Sequence, residues 1–189
     1  MAEKTVIATF SELKTHFACM QECFPSKIVF LGNGFEKKAR QDAEKSIGVM
    51  ARLEWIEIND TDIAEIAKTV IGIIEKEKDV TLHIHEGAGT LAIAALFAAY
   101  ARSSAINGIL YSPKDSADLI QLPKFSFSLS KTKKKTLGIM AKENETIVEV
   151  ARQMGKTRAV VYRHIRDLCE LGLLDKDWNL TDAGKVALL

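Results

Sequence analysis

The sequence predicts an α/β protein: a mainly parallel sheet covered by helices, followed by a small helical domain. Three observations carry this. Over residues 1–130, short β-branched runs alternate with helical patterns, as βαβ units do. Beyond residue 130 apolar residues recur mostly at helical spacing. Charge divides at the same place: residues 1–130 carry 14 Lys/Arg against 17 Asp/Glu, a net of −3, and residues 131–189 carry 12 against 8, a net of +4. Two domains are expected, 1–130 and 131–189, the second facing a polyanion.

The elements follow in order. TVIATF (5–10) is a β-branched strand, and residues 13–24 read as a helix stopped by Pro25. KIVFLG (27–32) is a second strand, closed by Gly32-Asn33-Gly34; residues 36–50 are a polar helix and EWIEIN (54–59) a third strand. Asp60-Thr61-Asp62 offers an N-cap to a helix carrying Ile63, Ile66, Ala67, Val70, Ile71 and Ile74. VTLHIH (80–85) is a fourth strand with His83 and His85 on one face. Residues 91–103 form a helix apolar on nearly all sides, expected to be deeply buried. INGILYS (106–112) is a fifth strand, ended by Pro113. In 119–130, Phe125, Phe127 and Leu129 alternate with serines, as an edge strand or hairpin arm would. KTKKK (131–135) reads as a solvated linker. Helices are expected at 136–143, 145–154 and 156–172, with Gly155 ending the second. Residues 173–181 read as two short strands around a polar turn, and 182–189 as a closing helix.

The composition narrows the function classes. At 47% apolar and 27% charged residues, the chain is that of an ordinary globular protein and not a disordered one. Cys19, Cys23 and Cys169 form no C-x-x-C, so neither a zinc site nor a disulfide framework is indicated; Cys19 and Cys23 are read as small buried hydrophobes. His83 and His85 lack an evident third ligand, so no metal is expected. The longest apolar stretch, 91–101, is shorter than the roughly 20 residues a bilayer span needs, and no leader-like run opens the chain. A cytoplasmic protein without a membrane partner is expected. No nucleophile motif such as G-x-S-x-G occurs. No catalytic residue is assigned, and the chain is read as not an enzyme.

HIHEGAGT (83–90) is the most informative loop. Gly87-x-Gly89-x-x-Ala92 formally fits a dinucleotide fingerprint. It follows the fourth strand instead of the first, and no acidic residue ends the next strand. A nicotinamide or flavin cofactor is therefore not expected. Backbone N–H groups of Gly87, Ala88, Gly89 and Thr90, at a helix start, suit phosphates.

The basic segment points to nucleic acid. Within 131–166, Lys/Arg outnumber Asp/Glu by 10 to 3. Val161, Ile165 and Leu168 form a buried stripe on residues 156–172, opposite Arg158, Tyr162, Arg163 and Arg166. The arginines supply donors for phosphates and base edges, Tyr162 a planar contact, and Lys156 and Thr157 a phosphate-binding helix start. His164, beside the apolar stripe, reads as structural.

The stretch ARQMGKTRAVVYRHIRDLCELGLLDKDWNLTDAGK resembles the winged helix-turn-helix of bacterial and archaeal transcription regulators. That resemblance implies that 156–166 reads the major groove of double-stranded DNA and that Lys176 and Trp178, near the wing tip, approach the backbone or minor groove. The first part resembles the CARF domain, the Rossmann-like sensor of CRISPR-associated proteins. The residues that carry the likeness are ATFS (8–11), FLGNG (30–34), and HEGAGT followed by LAIAALFAAYA. Together the two parts resemble the CARF–winged-helix transcription regulators of CRISPR antiviral defence, mostly archaeal. The family implies a cyclic oligoadenylate as ligand, bound across a homodimer interface by the loops that hold Phe10, Ser11, Gly32, Asn33, Gly34, His85, Glu86, Gly87, Ala88, Gly89 and Thr90. The alternative is a nucleotide-binding enzyme, a ring nuclease or a dinucleotide-dependent one, with the winged helix as a targeting module. Glu86 departs from the family pattern, and an inward carboxylate there would repel a phosphodiester.

Overall fold

The computed structural model describes residues 3–114, 118–125, 129–142 and 146–189. The chain divides into two compact units, Met1–Ser126 and Phe127–Leu189.

The first unit is an α/β, Rossmann-like fold on one six-stranded sheet. The strands are β1 (Thr5–Thr9), β2 (Lys27–Gly32), β3 (Arg52–Glu57), β4 (Val80–His85), β5 (Ile106–Ser112) and β6 (Ile120–Leu122). Their order is β3-β2-β1-β4-β5-β6; β1 to β5 run parallel and β6 pairs antiparallel with β5. The chain winds outward from β1 through β2 to β3, then returns to place β4 on the other side of β1. The β1/β4 boundary is thus the switch point, where connections leave in opposite directions and open a crevice at the strands' carboxyl ends.

Two faces grow from the period-2 alternation of each strand. Val6, Ala8, Ile28, Phe30 and Leu110 pack with Cys19 and Met20 of α1 (His16–Cys23) and with Ile47. Ile7, Val29 and Leu82 point to the other face, where α3 (Ile63–Lys76) packs on α4 (Thr90–Ala101) and α4 lies over β1, β4 and β5. Asp62 caps α3, accepting from the Ala64 and Glu65 N–H groups, a contribution of about 1 kcal/mol. The polar helix α2 spans Lys37–Ser46.

Two expectations change here. α4 is not buried on all sides. Ala92, Ala94, Ala95, Ala98 and Ala99 are buried, while Ile93 is 49% exposed and Leu96, Phe97 and Tyr100 are half-buried. Alanines let the helix approach the sheet closely, and the large apolar residues take its outer side. The edge strand covers Ile120–Leu122 only; Phe125 follows as an exposed residue, and Phe127 lies outside the described residues.

The second unit holds α5 (Lys131–Met140), α6 (Ile147–Met154), α7 (Arg158–Glu170) and α8 (Asp182–Leu188). The lysine run is helix, not linker. Ser130 caps α5 by accepting from the Lys133 N–H, and Lys133 Nζ lies 2.8 Å from Asp167 Oδ2 on α7. Residues 143 and 145, expected to end one helix and begin the next, lie with 144 outside the described residues. Gly155 turns α6 into α7 with a left-handed φ of 61°, and the Lys156 N–H returns to the Ala151 carbonyl. Leu137, Val150, Val161, Ile165, Leu168 and Leu173 form the core. Of the two strands expected in 173–181, one antiparallel bridge is present, Leu174 with Leu180. Gly184 in α8 sits directly against the Leu173 carbonyl, with which a Cβ would collide, so only glycine fits there.

Candidate functional site

The switch point brings two loops together. A Cβ on Gly87 would lie 2.8 Å from Ser11 Oγ and 3.0 Å from the His85 ring, so Gly87 is held between the loop after β1 and the end of β4. A cavity opens on each side of it. The larger, about 580 Å³, is lined by Ser11, Glu12, Lys14, Thr15, Phe17, Ala18, Gln21, His85, Gly87, Ser112 and Lys114. The smaller, about 340 Å³, is lined by Phe10, Gly32, Asn33, Ile58, Asp60, Thr61, Ile66, Gly87, Ala88, Thr90 and Leu91. Both fall in the size range of small-ligand sites, about 300–1,000 Å³.

The floor of the larger cavity is polar and follows from strand register. Ala8, His83 and Leu110 are lateral neighbours, as are His85 and Ser112, so both histidines and Ser112 share the α1 face. His83 Nε2 and Ser112 Oγ are 2.8 Å apart, and His83 Nδ1 lies 3.1 Å from His16 Nδ1. The Thr9 hydroxyl accepts from the His85 N–H at 2.8 Å, continuing the β1/β4 pairing past its last backbone partner. Burial pushes His16 well below the usual histidine range, with the charges of His83 and His85 acting the same way. Burial likewise brings His83 down to about 4. These two rings are neutral at pH 7. The charged groups in the wall are Lys14, Lys114 and Glu12; Lys14 Nζ lies 2.9 Å from Glu12 Oε2, and that contact holds the Glu12 carboxyl low.

Glu86 turns toward the loop after β5 and lines neither cavity. Its Oε2 accepts from the Lys114 backbone N–H at 2.8 Å, a bond that, with one from Tyr111, keeps the carboxyl ionised. Two of the N–H groups expected to cradle phosphate are used internally: Gly87 N–H donates to His85 Nδ1 at 3.0 Å, and Gly89 N–H to the Glu86 carbonyl at 3.4 Å. These two N–H groups are thus not free to point at an anion, contrary to the helix-start expectation.

Of the expected ligand-binding residues, Ser11, His85 and Gly87 meet at the larger cavity, and Phe10, Gly32, Asn33, Gly87, Ala88 and Thr90 at the smaller. Gly34, Glu86 and Gly89 line neither. Lys14, Ser112 and Lys114 went unassigned; the carboxyl-end position of Ser112 on a parallel strand was the available signal. Among the described residues, no group of three or more His, Cys, Asp or Glu is placed to hold a metal ion, and no helix is long and apolar enough to cross a membrane.

In the helical unit, Lys156 and Thr157 just before α7 and Arg158, Tyr162, Arg163 and Arg166 on it are all exposed. Arg166 Nε lies 3.7 Å from Glu170 Oε1. Lys176 is exposed in the turn, while Trp178 is half-buried, packed on the core and edge-on to Tyr162 at 5.7 Å. His164 Nδ1 lies 3.3 Å from Thr136 Oγ1 of α5, a structural contact.

No family model matches the chain, and neither does any curated protein. Among solved structures, Can2 from Sulfobacillus thermosulfidooxidans, in complex with cyclic tetra-adenylate, aligns with a TM-score of 0.51 at 13% identity, over 98% of this chain and 64% of its own. The chain shares its fold with Can2. A type III CRISPR defence DNA nuclease activated by cyclic oligoadenylate aligns at a TM-score of 0.48 and 13% identity, over 90% of this chain and 30% of its own. This chain therefore spans less than two thirds of either protein. The expectation of a non-enzymatic chain is withdrawn: the chain shares its fold with Can2, and the larger cavity is lined by His85 and Ser112, groups suited to proton transfer.

Proposed function

We propose that this chain binds a cyclic oligoadenylate at the switch point of its sheet and acts on double-stranded DNA through its helical unit, as a homodimer in CRISPR defence. The observation that carries this is the meeting of Ser11, His85 and Gly87 at the β1/β4 boundary, between a larger cavity walled by Lys14, Lys114 and hydroxyls and a smaller one walled by Asn33, Asp60, Thr61 and Thr90. Open α/β sheets bind ligands at this position. Can2, of the same fold, was solved with cyclic tetra-adenylate, which supports this ligand class. The outward Glu86 removes the main electrostatic objection to a phosphodiester. A two-fold ring suits an isologous dimer, and the outer side of α4, with Ile93, Leu96, Phe97 and Tyr100 at i, i+3, i+4 and i+7, suits pairing with a second copy.

The helical unit is read as a winged helix-turn-helix: α6, the Gly155 turn and α7, with the Leu174–Leu180 hairpin as the wing. Its exposed arginines supply donors for phosphates and base edges. In a regulator, ligand binding would shift the spacing of two such units on operator half-sites.

A second reading makes the chain a nucleotide-binding enzyme targeted by the helical unit. The hydrogen-bonded Ser112 and His83, with His85 beside them, favour it: they offer acid–base groups for cutting a phosphodiester held in the larger cavity.

Calorimetric titration with cyclic tetra- and hexa-adenylate tests the common core of both readings. Saturable heat with one ring per two chains is expected, and absence of heat with either ring contradicts it. Incubation with the bound ring, followed by product analysis, separates them: linear fragments support the enzyme and an unchanged ring the regulator.

A further inference from the structure

We infer that Cys23 and Cys19 form a thiol–disulfide exchange site that reacts with small disulfides such as oxidised glutathione. The two cysteines share one side of α1, with their sulfurs 3.9 Å apart. Their surroundings differ. Cys19 is 1% exposed and lies in the core between α1 and the sheet. Cys23 is half-buried and lines a third cavity, about 270 Å³, beside Lys4, Thr81, Asn107 and Gln121, at the end of the sheet away from the switch point. A small molecule reaches Cys23 without opening the core, and reaches Cys19 only through Cys23.

The electrostatics run the same way. The hydrogen bond from Cys19 brings the Cys23 thiol down, with help from the Thr81 hydroxyl and the Lys4 charge, against burial and Glu22. The same hydrogen bond, and then burial, holds Cys19 up. Cys23 is thus the attacking sulfur and Cys19 the resolving one, since the thiolate is the nucleophile.

The steps balance. The Cys23 thiolate attacks one sulfur of the glutathione disulfide, forming a mixed disulfide and releasing one glutathione thiolate. Cys19 loses its proton and attacks the Cys23 sulfur, releasing the second. Two protein thiols are oxidised to one disulfide, and one glutathione disulfide is reduced to two thiols.

Helix geometry makes this bond reversible. Residues four apart on a helix have Cα atoms about 6 Å apart, inside the disulfide range. Their Cβ atoms, however, are about 5–6 Å apart, where a disulfide needs about 3.8 Å. The last turn of α1 must tighten. Cys23 is the last residue of α1, and Phe24 beyond it already sits at φ 47°, held by its N–H to the Met20 carbonyl. Distortion is therefore confined to a helix end, and a disulfide formed under strain is easily reduced. Of the α1 residues in the wall of the 580 Å³ cavity, Gln21 lies in this last turn, so oxidation shifts that part of the wall.

The full chain is reduced, exposed to oxidised glutathione and analysed by mass. The tryptic peptide of residues 15–27 holds both cysteines and is expected to become lighter by two hydrogens, reversibly with dithiothreitol. Cys169, whose sulfur donates to the Asp175 carbonyl at 3.3 Å and whose thiol is raised by burial, is expected to stay reduced. Cys19→Ala is expected to stop at a mixed disulfide on Cys23, and Cys23→Ser to leave Cys19 unmodified. An unchanged wild-type peptide, prior modification of Cys169, or glutathionylation of Cys19 in Cys23→Ser each overturns the proposal. The wild-type and Cys23→Ser measurements suffice if the core variant fails to fold.

Discussion

The two faces of the central sheet are built to different rules. On the α3/α4 side, the lateral row Ile7, Leu82 and Ile109 is fully buried and wholly aliphatic. On the α1 side, the same strands carry His83, His85 and Ser112, buried against His16. Buried polar groups cost free energy unless bonded to one another, and they are at best near neutral when bonded. The aliphatic row contributes apolar burial alone, while the polar patch on the α1 side, set beside that side's own apolar core, gives up stability for a hydrogen-bonded floor under a cavity. The contrast follows from one-residue steps along β4: Leu82 faces one way and His83 the other.

The largest expected effect breaks the aliphatic face. Leu82→Ala should cost about 2–5 kcal/mol in urea unfolding, at every pH where the protein folds. The polar face should show itself instead as pH dependence. His83 has a folded value of about 4 against an ordinary value of 6.5, so below pH 6.5 the unfolded chain takes up a proton that the folded one refuses. The stability from its neutral burial is complete above pH 6.5 and is lost as pH falls toward 4, on the order of 3 kcal/mol in all. The carboxylates held low, Glu12, Glu86, Asp167 and Asp175, act only from about pH 5 downward, so the upper part of this window belongs to the histidines. A urea midpoint that stays flat from pH 7 to 4.5 contradicts this.

Smaller effects sharpen the comparison at the site. Gly87→Ala places a methyl group against Ser11 and His85, and should weaken cyclic tetra-adenylate binding about tenfold, roughly 1.4 kcal/mol, with little change in Tm. An equal loss of Tm would mark Gly87 as a folding residue. Smallest is Arg163→Ala on the exposed side of α7, which should weaken DNA binding several-fold and lower the salt slope by about 1, leaving the ligand heat unchanged.

Much of the scaffold was legible. The β-branched runs at 27–32, 80–85 and 106–112 end where the strands end, because each is closed by a glycine or proline or by a change of period. The lysine run was misread because its helix depends on the Ser130 cap and on Asp167, 34 residues away, which propensity does not weigh. Of the site, the loops at Ser11 and Gly87 were visible as small-residue turns after strands. The His16–His83 contact was not, since 67 residues separate the rings and only the packing of α1 joins them. The direction of Glu86 likewise depends on the backbone of Lys114. Cys23, read as a buried hydrophobe, is half-exposed because α1 ends there.

The four histidines give the most direct test. His16, His83 and His85 cluster under the larger cavity, and His164 lies in the helical unit against Thr136. Imidazole nitrogen signals followed by NMR during titration with cyclic tetra-adenylate read both places at once. The His85 signals should shift first and furthest, followed by those of His83 and His16, with His164 least affected. Saturation with His164 moving and His85 unmoved would place the ligand elsewhere and contradict the assignment of the switch point as the binding site.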